Sequence, residues 1–279
     1  MTLSEKKIYG IIGSPLKHSL SPGMHNAAFA ALKINAEYRK FELKEGELAP
    51  FFGSLKEKNI CGLNVTVPYK EKVISFLDKI SDEAKIIGAV NTIKVSGSGL
   101  EGFNTDGEGF IKSLKDDLGF DPRAKAVIIL GAGGASRAIS VYLCKEKSAS
   151  IVIYDIDRDK AARLANHLKE NFKGVNLSHA GSVAELPLDK ADLLVNATPI
   201  GLKESDPCVI DPGLLNRNTI VYDIIYNPKT KLLKAAEEKA IKAASGLGML
   251  LYQGMAAFEI WTGEPAPKEV MQKALEGNI

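Results

Sequence analysis

The stretch AVIILGAGGAS at residues 126–136 decides the fold: five apolar residues, Ala126 to Leu130, run without a break into Gly131-Ala132-Gly133-Gly134-Ala135-Ser136. An unbroken apolar run bounded by glycines reads as a strand buried on both faces, and the glycines let the turn after it take tight geometry. The helix that follows presents unpaired N–H groups and the positive end of its dipole, which is what holding a pyrophosphate requires. Asp155 stands at the end of the next strand, where a carboxylate accepts from the 2′-OH of an adenine ribose. Ser136 takes the third fingerprint position, where glycine or alanine is usual, and this predicts a slightly looser contact between helix and sheet. No GK[ST] follows, which excludes a phosphate loop of the Walker type.

Outward from that loop the pattern repeats. Strands over 126–130, 150–155, 191–195 and 219–223 alternate with helices over 134–147 and 158–171, the signature of a doubly wound parallel sheet. Just upstream, Thr105 with Glu108 predicts a capping box for a helix through 118, and Asp121-Pro122 breaks before the first of these strands. Residues 1–104 read as mixed α/β without repeats. The expected elements there are a strand over 8–12, a helix with Ser21 as N-cap and Pro22 at its first position, a strand over 38–43 and a helix over 47–58. A strand over 62–67 follows, then helical pieces over 72–77 and 82–86, a strand over 91–95 and a turn at 97–99. From Gly246 onward an apolar helix over 249–261 leaves no strand to pair in the second sheet. The predicted organisation is therefore a first domain over 1–104, a dinucleotide-binding domain over 105–245, and C-terminal helices over 246–279 that return to the first domain and make it discontinuous.

Composition narrows the class. With 279 residues, 45% hydrophobic and 25% charged, the chain has material for about two globular domains. A net charge of +2 without long basic runs gives no electrostatic ground for nucleic acid or an anionic membrane as partner. Three cysteines, Cys61, Cys144 and Cys208, form neither a CxxC pair nor an even set, so neither a disulfide framework nor a thiolate metal site is expected and a reducing compartment fits. The N-terminal ten residues lack a signal-peptide apolar core and no run approaches a membrane span, so the expected location is cytoplasmic.

The first domain also carries polar groups that packing does not need. His18-Ser19-Leu20-Ser21-Pro22 places two hydroxyls at a helix entry, where they and free N–H groups can bind a carboxylate, although Ser21 alone could simply cap. Asn64 and Thr66 stand two apart, hence on one face of the predicted strand, and Lys70 follows Pro68. Asn91-Thr92 and Asn104-Thr105-Asp106 add amides and a carboxylate at element ends. Taken singly, each has an ordinary reading as a cap or a solvated charge. His18 and His25 raise a metal or Ser/His hydrolase site, but no GxSxG elbow, HExxH or third-ligand cluster accompanies them, and no metal is expected.

Read together, these segments resemble the shikimate dehydrogenase family. The resemblance is carried in order by GSPLKHSLSPGMHN at 13–26, NVTVPYK at 64–70, GAVNT at 88–92, GFNTDG at 102–107, GAGGA at 131–135, NATP at 196–199 and GMLLYQG at 248–254. It implies an α/β protein in which a Rossmann domain and a smaller discontinuous substrate domain face each other across a cleft. The implied reaction is the reversible reduction of 3-dehydroshikimate to shikimate on the route to chorismate and the aromatic amino acids. By the same resemblance Ser19 and Ser21 hold the substrate carboxylate with Tyr226 nearby, and Asn64, Thr66, Lys70, Asn91, Asp106 and Gln253 line the substrate ring. Lys70 and Asp106 form the catalytic pair. An ammonium in reach of the carbonyl oxygen both stabilises the developing alkoxide and supplies its proton.

The implied cofactor residues are Gly131, Ala132, Gly133, Gly134, Ala135, Asp155, Arg158 and Thr198, with NAD(P)H as cofactor. Many members carry Asn-Arg-Thr after the second Rossmann strand to clasp the NADP 2′-phosphate, whereas this chain has Asp155-Ile156-Asp157 followed by Arg158. The expectation is thus a lean to NAD(H) against the family default of NADP(H). The implied partner is the small-molecule substrate, in a monomer or homodimer. An NAD-dependent quinate/shikimate dehydrogenase is the nearest alternative, and a non-catalytic dinucleotide-sensing protein on the same fold is a remote one.

Overall fold

In the computed structural model, which describes residues 5–277, the apolar run near the start forms β1 (Lys7–Gly13), all but its first residue buried. Met1–Ser4, the beginning of the stretch read above for a leader, and the last two residues of the C-terminal segment lie outside the described residues. β1 is followed by α1 (Ser21–Ala31), β2 (Ala36–Glu42), α2 (Leu48–Gly53), β3 (Ile60–Val65), β4 (Lys79–Ile80), α3 (Asp82–Ile87), β5 (Thr92–Ser96) and β6 (Gly99–Phe103). Their sheet has the order β2-β1-β3-β5-β6-β4. β1 pairs in parallel with β2 and β3, while β3-β5 and β5-β6 are antiparallel.

The remaining strands, β7 (Ala126–Leu130), β8 (Ser150–Tyr154), β9 (Asn176–His179), β10 (Leu193–Asn196), β11 (Ile220–Asp223) and β12 (Ala243–Ser245), form a second sheet of order β12-β11-β10-β7-β8-β9. Every pair in it is parallel; α4 (Asp106–Asp116) precedes it, and α5 (Gly134–Lys145), α6 (Arg158–Asn171) and α7 (Lys231–Glu238) connect β7 to β8, β8 to β9 and β11 to β12. The strand order reverses between β7 and β10, the switch point of a doubly wound sheet. β7 is central, and its Val127, Ile128, Ile129 and Leu130 are each at most 1% exposed; a strand covered on both faces reads as continuous apolar sequence for this reason.

The chain divides into two units, one taking in the residues up to Thr105 and from Leu250 onward, the other Asp106–Met249. The last helices are α8 (Leu247–Thr262) and α9 (Lys268–Glu276). Trp261 of α8 lies on the first sheet: its indole donates to Ile93 O at 2.9 Å, and a Cβ on Gly62 of β3 would stand 2.5 Å from the indole nitrogen. Only glycine lets the ring approach so closely, and so a residue late in the chain is packed against strands near its beginning.

Several local expectations change. Helix α1 takes Leu20, not Ser21, as N-cap, with no side-chain cap bond, so Ser21 sits at the first helical position and Pro22 at the second. β3 stops at Val65, which places Thr66 beyond the strand and removes the argument that it shares a face with Asn64. The helix expected over 47–58 is a single turn and a half, α2, ended where the Ser54 hydroxyl donates to Phe51 O at 2.8 Å. The Thr105 hydroxyl, read as one half of a capping box, donates to Gln253 O and accepts from Asn91 instead. β4, β6, β9 and β12 are additional strands, all short, and β6 (Gly-Leu-Glu-Gly-Phe) carries two glycines that weaken its strand signal.

Candidate functional site

In the first unit the loops after β1 and β3 are tied together. Ser14 N–H donates to Val67 O at 3.0 Å and Thr66 N–H to Ile12 O at 2.9 Å, while Val90 N–H donates to Lys70 O at 2.8 Å. Ser21 is 3% exposed, Ser19 and Thr66 are half-buried, and none of the three hydroxyls has a protein hydrogen-bond partner among the described residues. Hydroxyls held in place yet left unsatisfied are available to a ligand. Because Ser21 does not cap the helix, its hydroxyl belongs to this set. Lys70, four residues after Thr66, is half-buried.

The amides behave differently. Asn64 accepts from the Tyr38 hydroxyl at 2.7 Å and donates to Asn91 O at 3.3 Å and the Thr92 hydroxyl at 3.2 Å. Asn91 Oδ1 accepts from Thr105 N–H at 2.8 Å and the Thr92 hydroxyl at 2.9 Å; its Nδ2 donates to the Thr105 hydroxyl at 2.9 Å and to Gln253 Oε1 at 3.3 Å. Gln253 Nε2 donates to Leu250 O at 2.8 Å. Asn64, Asn91 and Gln253 are therefore brought together, but as members of a buried network that uses both amide protons of Asn64. Tyr38, Thr92 and Thr105 are the members that sequence reasoning did not assign to the site. The one advance sign was that Thr92 and Thr105 each stand next to an amide or carboxylate already singled out, Asn91 and Asp106.

His25 packs beside this network. It is fully buried, stacks on Tyr38 with ring centroids 4.5 Å apart, and lies 5.3 Å from the Trp261 ring. Neither ring nitrogen has a partner, and burial pushes its pKa down to about 3. It is a neutral core residue. Among the described residues no group of three His, Cys, Asp or Glu side chains could hold a metal ion, and no helix is long and apolar enough to cross a membrane.

The second unit carries Asp106, buried at the start of α4, together with Tyr226 and the glycine loop. Gly131 has φ +103°, and a Cβ on it would stand 2.8 Å from Ala197 O, so this position admits only glycine in practice. α5 opens at Gly134 with Gly133 as N-cap, no side-chain cap and no acidic residue in its first turn. Its first N–H groups and dipole are thus presented to an anion, and the loop fits a dinucleotide pyrophosphate. Ser136, expected to loosen the contact with the sheet, is fully buried and donates to Gly131 O at 2.6 Å, which ties the helix to the loop. Asp155 accepts from Ala132 N–H at 2.7 Å and Asp157 N–H at 2.9 Å. It anchors the glycine loop to the end of β8 while each oxygen keeps a lone pair for a ribose hydroxyl. Ile156 is 93% exposed. Arg158 is exposed at the start of α6, where its charge adds to the Gly181 N–H and Ser182 hydroxyl in holding Glu185 below the usual carboxylate range. Thr198 is bonded through its N–H and hydroxyl to Asn196 Oδ1.

Residues 11–93 match the family model for the shikimate dehydrogenase substrate binding domain, and residues 246–276 that for the shikimate 5′-dehydrogenase C-terminal domain. A protein of Methanopyrus kandleri named shikimate dehydrogenase (NADP(+)) is 45% identical over 98% of this chain and 96% of its own length. The crystal structure of shikimate dehydrogenase from Aquifex aeolicus matches with a TM-score of 0.90 at 41% identity, covering 99% of each chain. Shikimate 5-dehydrogenase from Listeria monocytogenes, solved in complex with shikimate and NAD, matches at 0.86 and 33% identity over 98% of this chain and 97% of that one. The 5-ketofructose reductase of a Gluconobacter strain also matches at 0.86, with 34% identity over 99% of this chain and 100% of that one. With such identity sustained over nearly its whole length, this chain belongs to the shikimate dehydrogenase family.

Proposed function

We propose that the protein is a nicotinamide-dependent shikimate dehydrogenase that reversibly reduces 3-dehydroshikimate to shikimate. The observation that carries this reading is the set of three unsatisfied hydroxyls, Ser19, Ser21 and Thr66, on loops tied together beside Lys70. Ser19 and Ser21 bind the substrate carboxylate, and Thr66 a ring hydroxyl. Gln253 offers the ring its second amide proton, its orientation set by the network it shares with Asn91, and Asn91 and Asn64 act mainly by holding that network. A bound reduced nicotinamide supplies the hydride. Lys70 holds a proton at Nζ, gives it to the oxygen of the carbonyl being reduced, and takes it back from the shikimate hydroxyl in the reverse direction. Asp106, the second member of the catalytic pair, and Tyr226 complete the residue set that the resemblance to the family implies for this reaction. The assay that tests the reading offers shikimate, quinate and, in the reducing direction, 5-ketofructose, with each dinucleotide. Turnover of 5-ketofructose alone would overturn it, and quinate turnover equal to that of shikimate would make it a quinate/shikimate dehydrogenase.

The carboxylate assignment makes its own prediction. Ser19→Ala and Ser21→Ala are each expected to weaken shikimate binding by about 1.5–3 kcal/mol, seen mainly as a raised KM, since the contact is equal in ground and transition states. Titrations of shikimate into both variants check it, and unchanged affinity in both refutes the assignment.

For the cofactor we infer a preference for NAD(H). Asp155 is fixed by two backbone N–H groups and cannot swing away from a 2′-phosphate, Ile156 offers no charge where many relatives place arginine, and Arg158 has Glu185 as a neighbour. Two like charges about 4 Å apart near a surface repel by roughly 4 kcal/mol at an effective dielectric of about 20, and a third of that is about tenfold in affinity. The expected result is a kcat/KM at least about tenfold higher with NAD⁺ than with NADP⁺. An equal or higher value with NADP⁺, the cofactor in the Methanopyrus relative's name, would show that Arg158 or another cation outweighs Asp155.

A further inference from the structure

Asp223 ends β11 with a fully buried side chain, and the donors that hold it are all neutral. Its Oδ1 accepts from Asn196 Nδ2 at 3.0 Å and from Ile225 N–H at 3.1 Å, and its Oδ2 accepts from the Thr230 hydroxyl at 2.7 Å. Burying a carboxylate without a cation costs stability even when it is hydrogen-bonded. Burial accordingly pushes its pKa up, against the opposing effect of the three donors. Strand pairing needs no such group, since β11 pairs through its backbone with β10 and β12.

What the carboxylate accomplishes is visible one bond further out. Together with Ile200 O, which accepts from the same Nδ2 at 3.3 Å, it sets the sense of the buried Asn196 amide, so that Oδ1 faces Thr198 and accepts its N–H at 3.1 Å and its hydroxyl at 2.7 Å. The Thr198 hydroxyl accepts in turn from Ile200 N–H at 3.1 Å. The turn built this way carries Ala197 and Thr198, the atoms against which Gly131 of the glycine loop is seated. On its other side the carboxylate holds Thr230, whose hydroxyl caps α7 through Leu233 N–H and whose methyl lies under Gly201. One side chain thus joins the ends of β10 and β11 at the carboxyl edge of the sheet, next to the loop of β7, the crevice where open α/β sheets bind dinucleotides.

We propose that Asp223 is a positioning residue for dinucleotide binding, acting through the Asn196 amide on Thr198 and on the turn that backs Gly131. The proposal rests on the reading of the second unit as the dinucleotide site. The test measures binding of NADH and NADPH to the full chain by nucleotide fluorescence, with thermal unfolding alongside. Asn196→Asp turns the donor facing Asp223 into a second carboxylate but keeps an acceptor for Thr198. It is expected to weaken dinucleotide binding by about tenfold or more, while KM for shikimate at saturating dinucleotide stays within about twofold. The exchange Asn196→Asp with Asp223→Asn restores one donor and one acceptor with the polarity reversed, and is expected to recover at least about threefold of that loss. Asp223→Asn alone keeps the acceptor but loses its charge, and about threefold weaker binding is expected. If Asn196→Asp fails to fold, this milder variant carries the test. Unchanged dinucleotide affinity in a folded single variant, or no recovery in the exchange, overturns the proposal. A wild-type chain that binds neither dinucleotide overturns the reading of the second unit itself, which separates the two failures.

Discussion

Lys70→Ala is expected to lower kcat by on the order of 10²- to 10⁴-fold with little change in KM for shikimate, the loss associated with a general acid that acts on the reacting oxygen. The split follows from the chemistry. Charge develops on the carbonyl oxygen only as the hydride arrives, so an ammonium placed there is worth far more in the transition state than in the ground state. Its carbonyl accepts from Val90 N–H at 2.8 Å, a backbone hydrogen bond that truncating the side chain leaves in place. Steady-state kinetics on a variant with wild-type circular dichroism decide the matter, and near wild-type kcat sinks the assignment.

The second large effect concerns stability. His25 is neutral in the folded chain, with a pKa pushed down to about 3 by burial, whereas it ionises near 6.5 once unfolded. The unfolded state therefore binds the extra proton between these values. The stability that His25 contributes is fully present above about pH 6.5 and is lost as the pH falls toward 3, by about 2 kcal/mol at pH 5 and about 3 kcal/mol at pH 4. The chain has one tryptophan, Trp261, and its ring lies 5.3 Å from the imidazole, so tryptophan fluorescence reports the unit concerned. Urea midpoints from pH 7 to pH 4 are expected to fall more steeply for wild type than for His25→Phe, which keeps an aromatic face for Tyr38 but cannot take a proton. Parallel pH dependences in the two proteins would mean that the imidazole is not a buried neutral group.

The parts of this protein legible in the sequence are those specified by neighbours along the chain. β7 and α6 occur at the residues read for them, and β8, α5, β10 and β11 within two. A central parallel strand must be apolar on both faces, and a surface helix must repeat its apolar face, so both patterns are written locally. The glycine loop was legible for the same reason: strand, glycines and helix are contiguous. β6, β9 and β12 were not, because short strands with glycine or polar residues owe their pairing to whatever lies beside them.

At the candidate site the sequence by itself determined which residue types are present, the two serines, Thr66, Lys70, the amides and the aspartates, and their order along the chain. Tertiary structure alone decided which of these polar groups are already satisfied. Asn64 and Asn91 are consumed by partners as distant in sequence as Gln253, Asp155 is bonded to Ala132, and Ser136 to Gly131, whereas the hydroxyls of Ser19, Ser21 and Thr66 have no protein partner among the described residues. A side chain's hydrogen-bonding capacity is a property of its residue type, but whether that capacity remains for a ligand depends on neighbours that only the folded chain brings within 3 Å.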